Sequence, residues 1–356
     1  MGTEIATQLL TEAISFGATP GAVCLTGNSN QVCDEIALGH LTYKPNSPSV
    51  TADTIYDLAS LTKVIVTTPL AMILYERGLL ELEAPVKKYI PEFSGPRKNS
   101  VSVLDLLAHC SGVRWWTDLY LLTQQKNSSN IKKEYIKKIC SLPLDYTPRS
   151  NTVYSDLGFL LLGEIIERLM HSPLDQLANN EIFKPLRMDN IQYNPDENIR
   201  NQIAPTEEDT FRGPLLQGSV HDENAFGIGG VAAHAGLFST ARAIAPLAQL
   251  FLCDGTLGGT TVFTAETTRL FTTRTNLVTG STRALGWDTA SPGNSCGNLF
   301  SATSFGHTGF TGTSLWIDRE KDFFVVLLTN RVHPTRDNTK LVPIRPNIHD
   351  ALLKFA

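Results

Sequence analysis

Ser60-Leu61-Thr62-Lys63 sets a hydroxyl and an amine three residues apart, directly after the strand-like run Ile55-Tyr56-Asp57-Leu58 and at the opening of an apolar helix. Residues i and i+3 share a helix face, so the two side chains can meet. An amine that is partly desolvated drops from a pKa of about 10.4 toward neutrality and can then take the serine proton. The same helix start leaves backbone N–H groups free for a developing oxyanion. By itself the spacing is more simply read as a serine cap followed by a solvated lysine. Two further segments carry polar groups of the right kind. Tyr154-Ser155-Asp156 immediately precedes the apolar stretch Leu157 to Met170. A tyrosine there is either a core residue with a satisfied hydroxyl or a cleft-facing proton shuttle. Gly306-His307-Thr308-Gly309 opens a strand-like run. Flanking glycines let a second backbone approach, as an extended peptide would, although a strand glycine pair more often marks a bulge.

The elements that must hold these residues follow from hydrophobic periodicity. Helical spacing covers 3–16, and strand-like runs at 21–27, 31–43 and 54–58 are punctuated by Gly27, Asn28, Gly39 and Pro45. Helices are expected at 61–77, 102–108 with Ser102 as cap, 130–140, 156–170 with Ser155 or Asp156 as cap, and 173–180. Pro69 should kink the helix that Ser60 opens. A helix at 241–252 follows Thr240, and two strand runs, Phe305 to Ile317 and Asp322 to Asn330, read as a hairpin joined by Asp318-Arg319-Glu320-Lys321. A short helix near 346–355 closes the chain. Strands at both termini with helices between them predict an α/β protein: an antiparallel sheet built from both ends and flanked by helices, plus a mainly helical part. Residues 1–75 and 235–356 would form the sheet domain and 76–234 the helical domain, with Ser60 at their junction.

Composition excludes several classes. The 356 residues carry 30 basic and 35 acidic side chains, with 42% hydrophobic and 18% charged residues, so wholesale disorder is ruled out. The densest basic run, Lys132-Lys133 to Lys137-Lys138, reads as a solvated helix face and not as a nucleic-acid patch. The first thirty residues hold no Lys or Arg and no apolar core segment, so no signal peptide is visible. The apolar windows Val64 to Tyr75 and Phe226 to Leu252 are interrupted by polar residues and proline, so no membrane span is expected. The six cysteines form no CxxC, and no metal site is expected. A hairpin turning at Asn28-Ser29 would set Cys24 opposite Cys33, either as a disulfide or, more simply, as two buried thiols. His109 reads as structural, and Met72, Trp115 and Trp116 as core or cleft wall. The cluster His221-Asp222-Glu223-Asn224, with Gly227 to His234 after it, reads as a cleft-lining loop before a metal site. Arg331 and Arg336 read as surface arginines before carboxylate binders.

The three motifs occur in the order SxxK, YxD, HTG, and in this the chain resembles the serine β-lactamase and penicillin-binding protein superfamily. More narrowly, it resembles the class C β-lactamase branch with its D,D-peptidases and β-lactamase-fold esterases. Supporting segments are Leu82 to Phe93, Leu106-Leu107-Ala108-His109-Cys110-Ser111-Gly112, Pro185-Leu186-Arg187-Met188 and Gly236 to Thr240. The resemblance implies the β-lactamase/transpeptidase-like fold, Ser60 as acyl-enzyme nucleophile, Lys63 as its proton partner and Tyr154 as second acid/base. It also implies a substrate strand of His307, Thr308 and Gly309, an oxyanion hole from the N–H groups of Ser60 and Phe310, and no metal or organic cofactor. No Glu-x-x-Leu-Asn supplies a class A deacylating glutamate. Two residues depart from the common pattern. Asp156 replaces asparagine and is acceptor-only when ionised, so it either pairs with Lys63 or caps the helix. His307 replaces the lysine of most β-lactamases, which resembles D,D-peptidases and makes attraction for a substrate carboxylate pH-dependent near neutrality. The implied activity is a D-alanyl-D-alanine carboxypeptidase acting on peptidoglycan peptides, with β-lactams as alternative substrates. An esterase, a D-amino-acid peptidase and a non-catalytic scaffold are the other readings. A peptidoglycan substrate implies the periplasm or the cell exterior.

Overall fold

A computed structural model describes residues 1–125 and 130–354. Helix α1 (Gly2–Ser15) leads into strands β1 (Gly21–Gly27) and β2 (Val32–Gly39), and β3 (Tyr56–Asp57) precedes the turn bearing Ser60. A π-helical turn (Lys63–Thr67) runs into α2 (Thr68–Glu76), followed by α3 (Val103–Leu107), α4 (Leu121–Gln125), α5 (Ile131–Ser141), α6 (Asp156–Met170) and α7 (Leu174–Ala178). Then come β4 (Ile191–Tyr193), α8 (Glu223–Gly227), β5 (Leu237–Ser239), α9 (Ala241–Leu252), the ribbon β6 (Thr256–Leu257) and β7 (Thr260–Thr261), and α10 (Ala265–Thr272). Strands β8 (Asp288–Thr289), β9 (Phe305–Thr308), β10 (Ser314–Asp318) and β11 (Phe323–Thr329) and helix α11 (Arg345–Leu353) complete the described chain.

The main sheet has the order β2-β1-β11-β10-β9-β8, and its pairs are antiparallel. Both chain ends therefore meet in it, Cys24 lying opposite Leu327. Strands β1 and β11 are buried along their whole length, as central strands covered on both faces must be. One face carries a core with Ala6 and Leu10 of α1 and Ile348 and Leu352 of α11; the other packs on a larger core that includes α2, α6 and α9. A small sheet, β3-β5-β4, ties the Ser60 turn to the segment before α9. Ser102 caps α3 in a reciprocal capping box with Asp105, and Ser155, not Asp156, caps α6 through the Gly158 N–H.

Three sequence expectations are corrected. The run Phe305 to Ile317 is two strands, because the N–H of Gly309 donates to Thr313 O at 2.8 Å and Gly312 sits at φ +113. A Cβ on Gly309 would lie 2.0 Å from Thr313 Oγ1 and 2.4 Å from Leu58 O, so only glycine fits where this turn meets the Ser60 segment. The first hairpin turns through Asn28 to Gln31, where Asn28 Oδ1 accepts from the N–H of Asn30 and of Gln31, and a bulge follows at Thr26/Gly27. Cys24 therefore faces Ile36, buried, while Cys33 is exposed; all six cysteines are free. Strand β2 ends at Gly39, where φ is +80, and not at residue 43. Pro69 has no N–H for the regular ladder, and the helix absorbs it by widening into the π turn before α2.

Thiol titration of the unreduced, denatured protein will count all six cysteines, and reductant will leave the melting temperature unchanged. A count of four would restore the Cys24–Cys33 bridge. In the native state Cys33 will alkylate and Cys24 will not, since burial pushes the Cys24 thiol up to about 12.

Candidate active site

The site begins with a strained turn. Ala59 holds φ +47, uncommon for a residue with a Cβ, and is pinned there by its N–H donating to the buried Asp57 Oδ1 at 2.8 Å. Thr62 Oγ1 donates to Ala59 O at 2.7 Å and accepts the Leu237 N–H at 3.2 Å. Asp57 Oδ2 takes the His221 N–H at 2.7 Å, and Thr311 and Thr313 hydroxyls donate to the carbonyls of Asp57 and Leu58. The turn before the nucleophile candidate is thus fixed from β5, from the 221 loop and from the β9–β10 turn.

Lys63 is fully buried. Its Nζ donates to Ser60 Oγ at 3.1 Å and to His234 O at 2.9 Å, and stands 2.7 Å from Asp156 Oδ1 in an ion pair. Desolvation pulls the Lys63 pKa down, but the Asp156 carboxylate and then Tyr154 outweigh it, leaving the pKa above the ordinary lysine value. This corrects the expectation of a near-neutral amine: of the two readings for Asp156 the ion pair is realised, and it holds the proton on Lys63.

The Lys63 ammonium sits 4.8 Å from the Tyr154 ring centroid. The Tyr154 hydroxyl is buried without a hydrogen bond of full geometry, and burial, only partly opposed by Lys63, raises its pKa so the phenol is neutral. His109 stacks 4.6 Å from that ring and its Nδ1 accepts the Ser155 N–H at 3.0 Å, which makes it a structural residue of the α6 start. His307 lies on the other side of Tyr154 at 5.8 Å, its Nδ1 2.8 Å from Thr308 O. Burial, then the charges of Arg283 and Lys63, hold its pKa far below 6.5. His307 is therefore a neutral imidazole across the physiological range and not the near-neutral switch expected from its residue type.

Ser60, Tyr154, His307, Thr308, Gly309 and Phe310 line one cleft of about 390 Å³. Among the described residues no protein acceptor takes up the N–H of Ser60 or of Phe310. The cleft also holds three arginines. Arg283 places its guanidinium 5.5 Å from the Tyr154 ring. Arg331 lies 4.9 Å from the Phe310 ring and spends its hydrogen bonds on the carbonyls of Arg336 and Asn338. Arg345 is 5% exposed, its Nε has no partner, and burial followed by repulsion from Arg331 lowers it to about 10. Arg331 is thus a cleft residue, whereas Arg336 is bound by Glu207 and Glu223 and does not line this cleft. Sequence reasoning missed Arg283, which no local motif marks, and Arg345, for which the signal was the absence of any acid between Asp337 and Asp350.

The other sequence candidates find ordinary places. His221 pairs with Glu207 at 3.0 Å and His234 with Asp222 at 2.8 Å, and no group of three or more metal-type ligands occurs among the described residues. Met72 is core, and Trp115 is exposed.

Residues 7–345 match the Beta-lactamase family, and the chain belongs to it, a family of serine hydrolases with the β-lactamase/penicillin-binding protein fold. Among similar proteins, an "N-acetylmuramyl-L-alanine amidase" of Bacillus subtilis (strain 168) is 34% identical, the match covering 92% of this chain and 80% of that protein. A "Putative D-alanyl-D-alanine carboxypeptidase" of Escherichia coli (strain K12) is 35% identical over 85% of this chain and 74% of its own length. A penicillin-binding protein homologue from Caulobacter crescentus superposes with TM-score 0.79 at 19% identity, covering 99% of this chain and 97% of that one. EstCE1, a hydrolase with promiscuous acyltransferase activity, superposes with TM-score 0.78 at 19% identity over 99% and 98% of the two chains. At such identities the structural likeness establishes the fold. No helix among the described residues is long and apolar enough to cross a membrane.

His109, His307 and His349 are all held below the ordinary 6.5 by burial, His349 at about 3. An unfolded chain therefore binds protons below about pH 6.5 that the folded chain refuses, so stability falls as pH drops through that value. Glu207 and Asp222 add a further loss below the usual carboxylate range: burial pushes each upward, but His221 and Arg336 for the first, and His234 for the second, hold them well below it. Urea midpoints should decline from about pH 7.5 to about pH 5 and more steeply below pH 4; a flat profile would mean these groups titrate alike in both states.

Proposed function

We propose that the protein is a D-alanyl-D-alanine carboxypeptidase that works through an acyl-enzyme on Ser60. The observation that carries this reading is the buried Lys63 ammonium 3.1 Å from Ser60 Oγ, at a cleft whose three arginines form no ion pair among the described residues. A peptide ending in a free carboxylate complements Arg283, Arg331 and Arg345, where a neutral ester would leave them uncompensated. The substrate peptide would lie along Thr308 and Gly309, its scissile carbonyl between the N–H groups of Ser60 and Phe310. The cleft is then the junction between the sheet domain (1–75 and 235–356) and the helical domain (76–234).

Ser60 Oγ attacks the carbonyl carbon as its proton leaves for Lys63. Because an ammonium has no lone pair, Lys63 receives that proton only after giving up one of its own, and the nearest carboxylate to take it is Asp156, 2.7 Å away. The C–N bond breaks, and the Lys63–Tyr154 pair returns the serine proton to the departing D-alanine amine. Water repeats the sequence on the ester and frees Ser60. A β-lactam enters the same path with a tethered leaving group. A second reading, cleavage of the amide between a muramyl group and L-alanine, is favoured by the similarity to the Bacillus subtilis amidase. Either substrate would belong to peptidoglycan, a reading that goes with the periplasm or the cell exterior.

Intact-mass spectrometry with a penicillin, run beside D-alanine release from a D-Ala-D-Ala peptide, tests the reading. The expected result is D-alanine release with an adduct on Ser60 that Ser60→Ala abolishes. Penicillin turnover without accumulation would make the protein a β-lactamase, and neither signal would overturn the proposal. Asp156→Asn removes the charge that keeps the proton on Lys63, so the neutral amine is reached at lower pH and the ascending limb of kcat/KM should move to lower pH by roughly one unit or more. An unmoved limb would show that Asp156 does not govern the lysine.

A further inference from the structure

Beside the Tyr154–Asp156 segment runs a series of aromatic rings that the chemistry above does not use. Trp115 and Trp116 lie 5.9 Å apart, Trp116 and Tyr120 6.5 Å, and Tyr120 and Phe211 5.6 Å. Trp115 is 56% and Phe211 50% exposed, whereas large aromatic side chains are ordinarily drawn inward. The backbone beneath them is rigidly held. Trp115 O accepts the Asp156 N–H at 2.9 Å, and Arg114 O accepts the Ser155 hydroxyl at 2.8 Å. The buried side chain of Asn224 donates to Thr117 O and accepts the Tyr120 N–H. The rings are thus set in fixed register with the residues that flank Lys63, so a ligand resting on them loses little to ordering the protein.

Tyr120, Leu121 and Phe211 also wall a pocket of about 400 Å³ whose remaining lining is polar, including Glu207, Glu208, Asp209 and Glu223. Each of these carboxylates is met by a cation: Glu207 and Glu223 by Arg336, Asp209 by Arg212 and Glu208 by Lys44. The pocket therefore offers many hydrogen-bond acceptors next to flat apolar faces, and three cations shared among four carboxylates leave it only slightly negative. That combination fits a neutral polyhydroxyl ring, whose C–H face stacks on an aromatic while its hydroxyls donate to carboxylates. An acyl chain would desolvate the carboxylates without pairing them, and an anion would be repelled by them.

We infer that the ladder Trp115–Trp116–Tyr120–Phe211 and its adjoining pocket bind the pyranose rings of the glycan that carries the substrate peptide. The inference rests on the peptidoglycan reading of the Ser60 cleft, and it makes glycan-linked peptides, rather than free ones, the preferred substrates.

Calorimetry on the Ser60→Ala protein would compare a disaccharide-peptide fragment of peptidoglycan with the same peptide lacking sugar. The sugar-bearing ligand should bind about tenfold tighter, and Trp115→Ala or Phe211→Ala should bring that ratio close to one while binding of the bare peptide stays unchanged. Equal affinities for the two ligands, or a ratio that survives in both variants, would overturn the inference. Melting curves check that each variant is folded. Chitotriose, which has no peptide, is titrated into the unaltered protein as a separate probe. It should bind and quench tryptophan fluorescence, and lose that binding in Trp115→Ala. Sugar binding without D-alanine release would overturn the carboxypeptidase reading alone, and release without sugar binding would overturn the ladder alone.

Discussion

A lysine ammonium with no exposure to water must be repaid for its lost hydration by charge and hydrogen bonds at close range. Lys63 meets that demand with acceptors from three distant parts of the chain: Ser60 on its own turn, Asp156 at the start of α6, and His234 O before β5. Those three segments must therefore converge, and the packing around them is built to allow it. Thr67 donates to Ala233 O at 2.6 Å, and Gly163 of α6 lies so close that a Cβ there would stand 2.5 Å from that of Ala233. The loop carrying His234 is threaded between α2 and α6, and neither a larger residue at 163 nor a different path for the loop would leave Lys63 its third acceptor.

Much of this was legible from short-range signals. Helix starts with a side-chain acceptor, Ser102, Ser155 and Thr240, are where the sequence places them, because a cap satisfies its helix locally. The order of Ser60, Tyr154 and His307 along the chain was enough to bring the three residues to one cleft. What failed depended on geometry that periodicity does not carry. A four-residue turn and a bulge move Cys33 out of register with Cys24, and a two-residue turn would have looked the same in hydrophobic pattern. The break between β9 and β10 lies in a run that is apolar enough for one strand, yet Gly309 and Gly312 supply a turn that brings Phe310 to the cleft that Ser60 also lines. Residue type also misled at the two titrating groups, since the pKa of Lys63 and that of His307 are set by burial and by charges outside their own motifs, Asp156 and Tyr154 for the first and Arg283 and Lys63 for the second.

The charges around the cleft are distributed unevenly, and the unevenness accounts for the unusual residue at the strand. On one side, Arg336, Arg212, Glu207 and Glu223 cancel one another in a closed network. On the other, Arg283, Arg331 and Arg345 line the cleft with carbonyls and aromatic rings for company and, among the described residues, no ion pair, although Asp288 lines the same cleft. With Lys63 already charged nearby, a lysine at position 307 would add one more cation to a cleft in which Arg331 already lowers Arg345 by repulsion. A buried imidazole relieves that repulsion by shedding its proton, because burial and the charges of Arg283 and Lys63 act in the same direction on it. Positive charge in this cleft is thus carried by the arginines and Lys63, and His307 presents a neutral polar edge beside Tyr154.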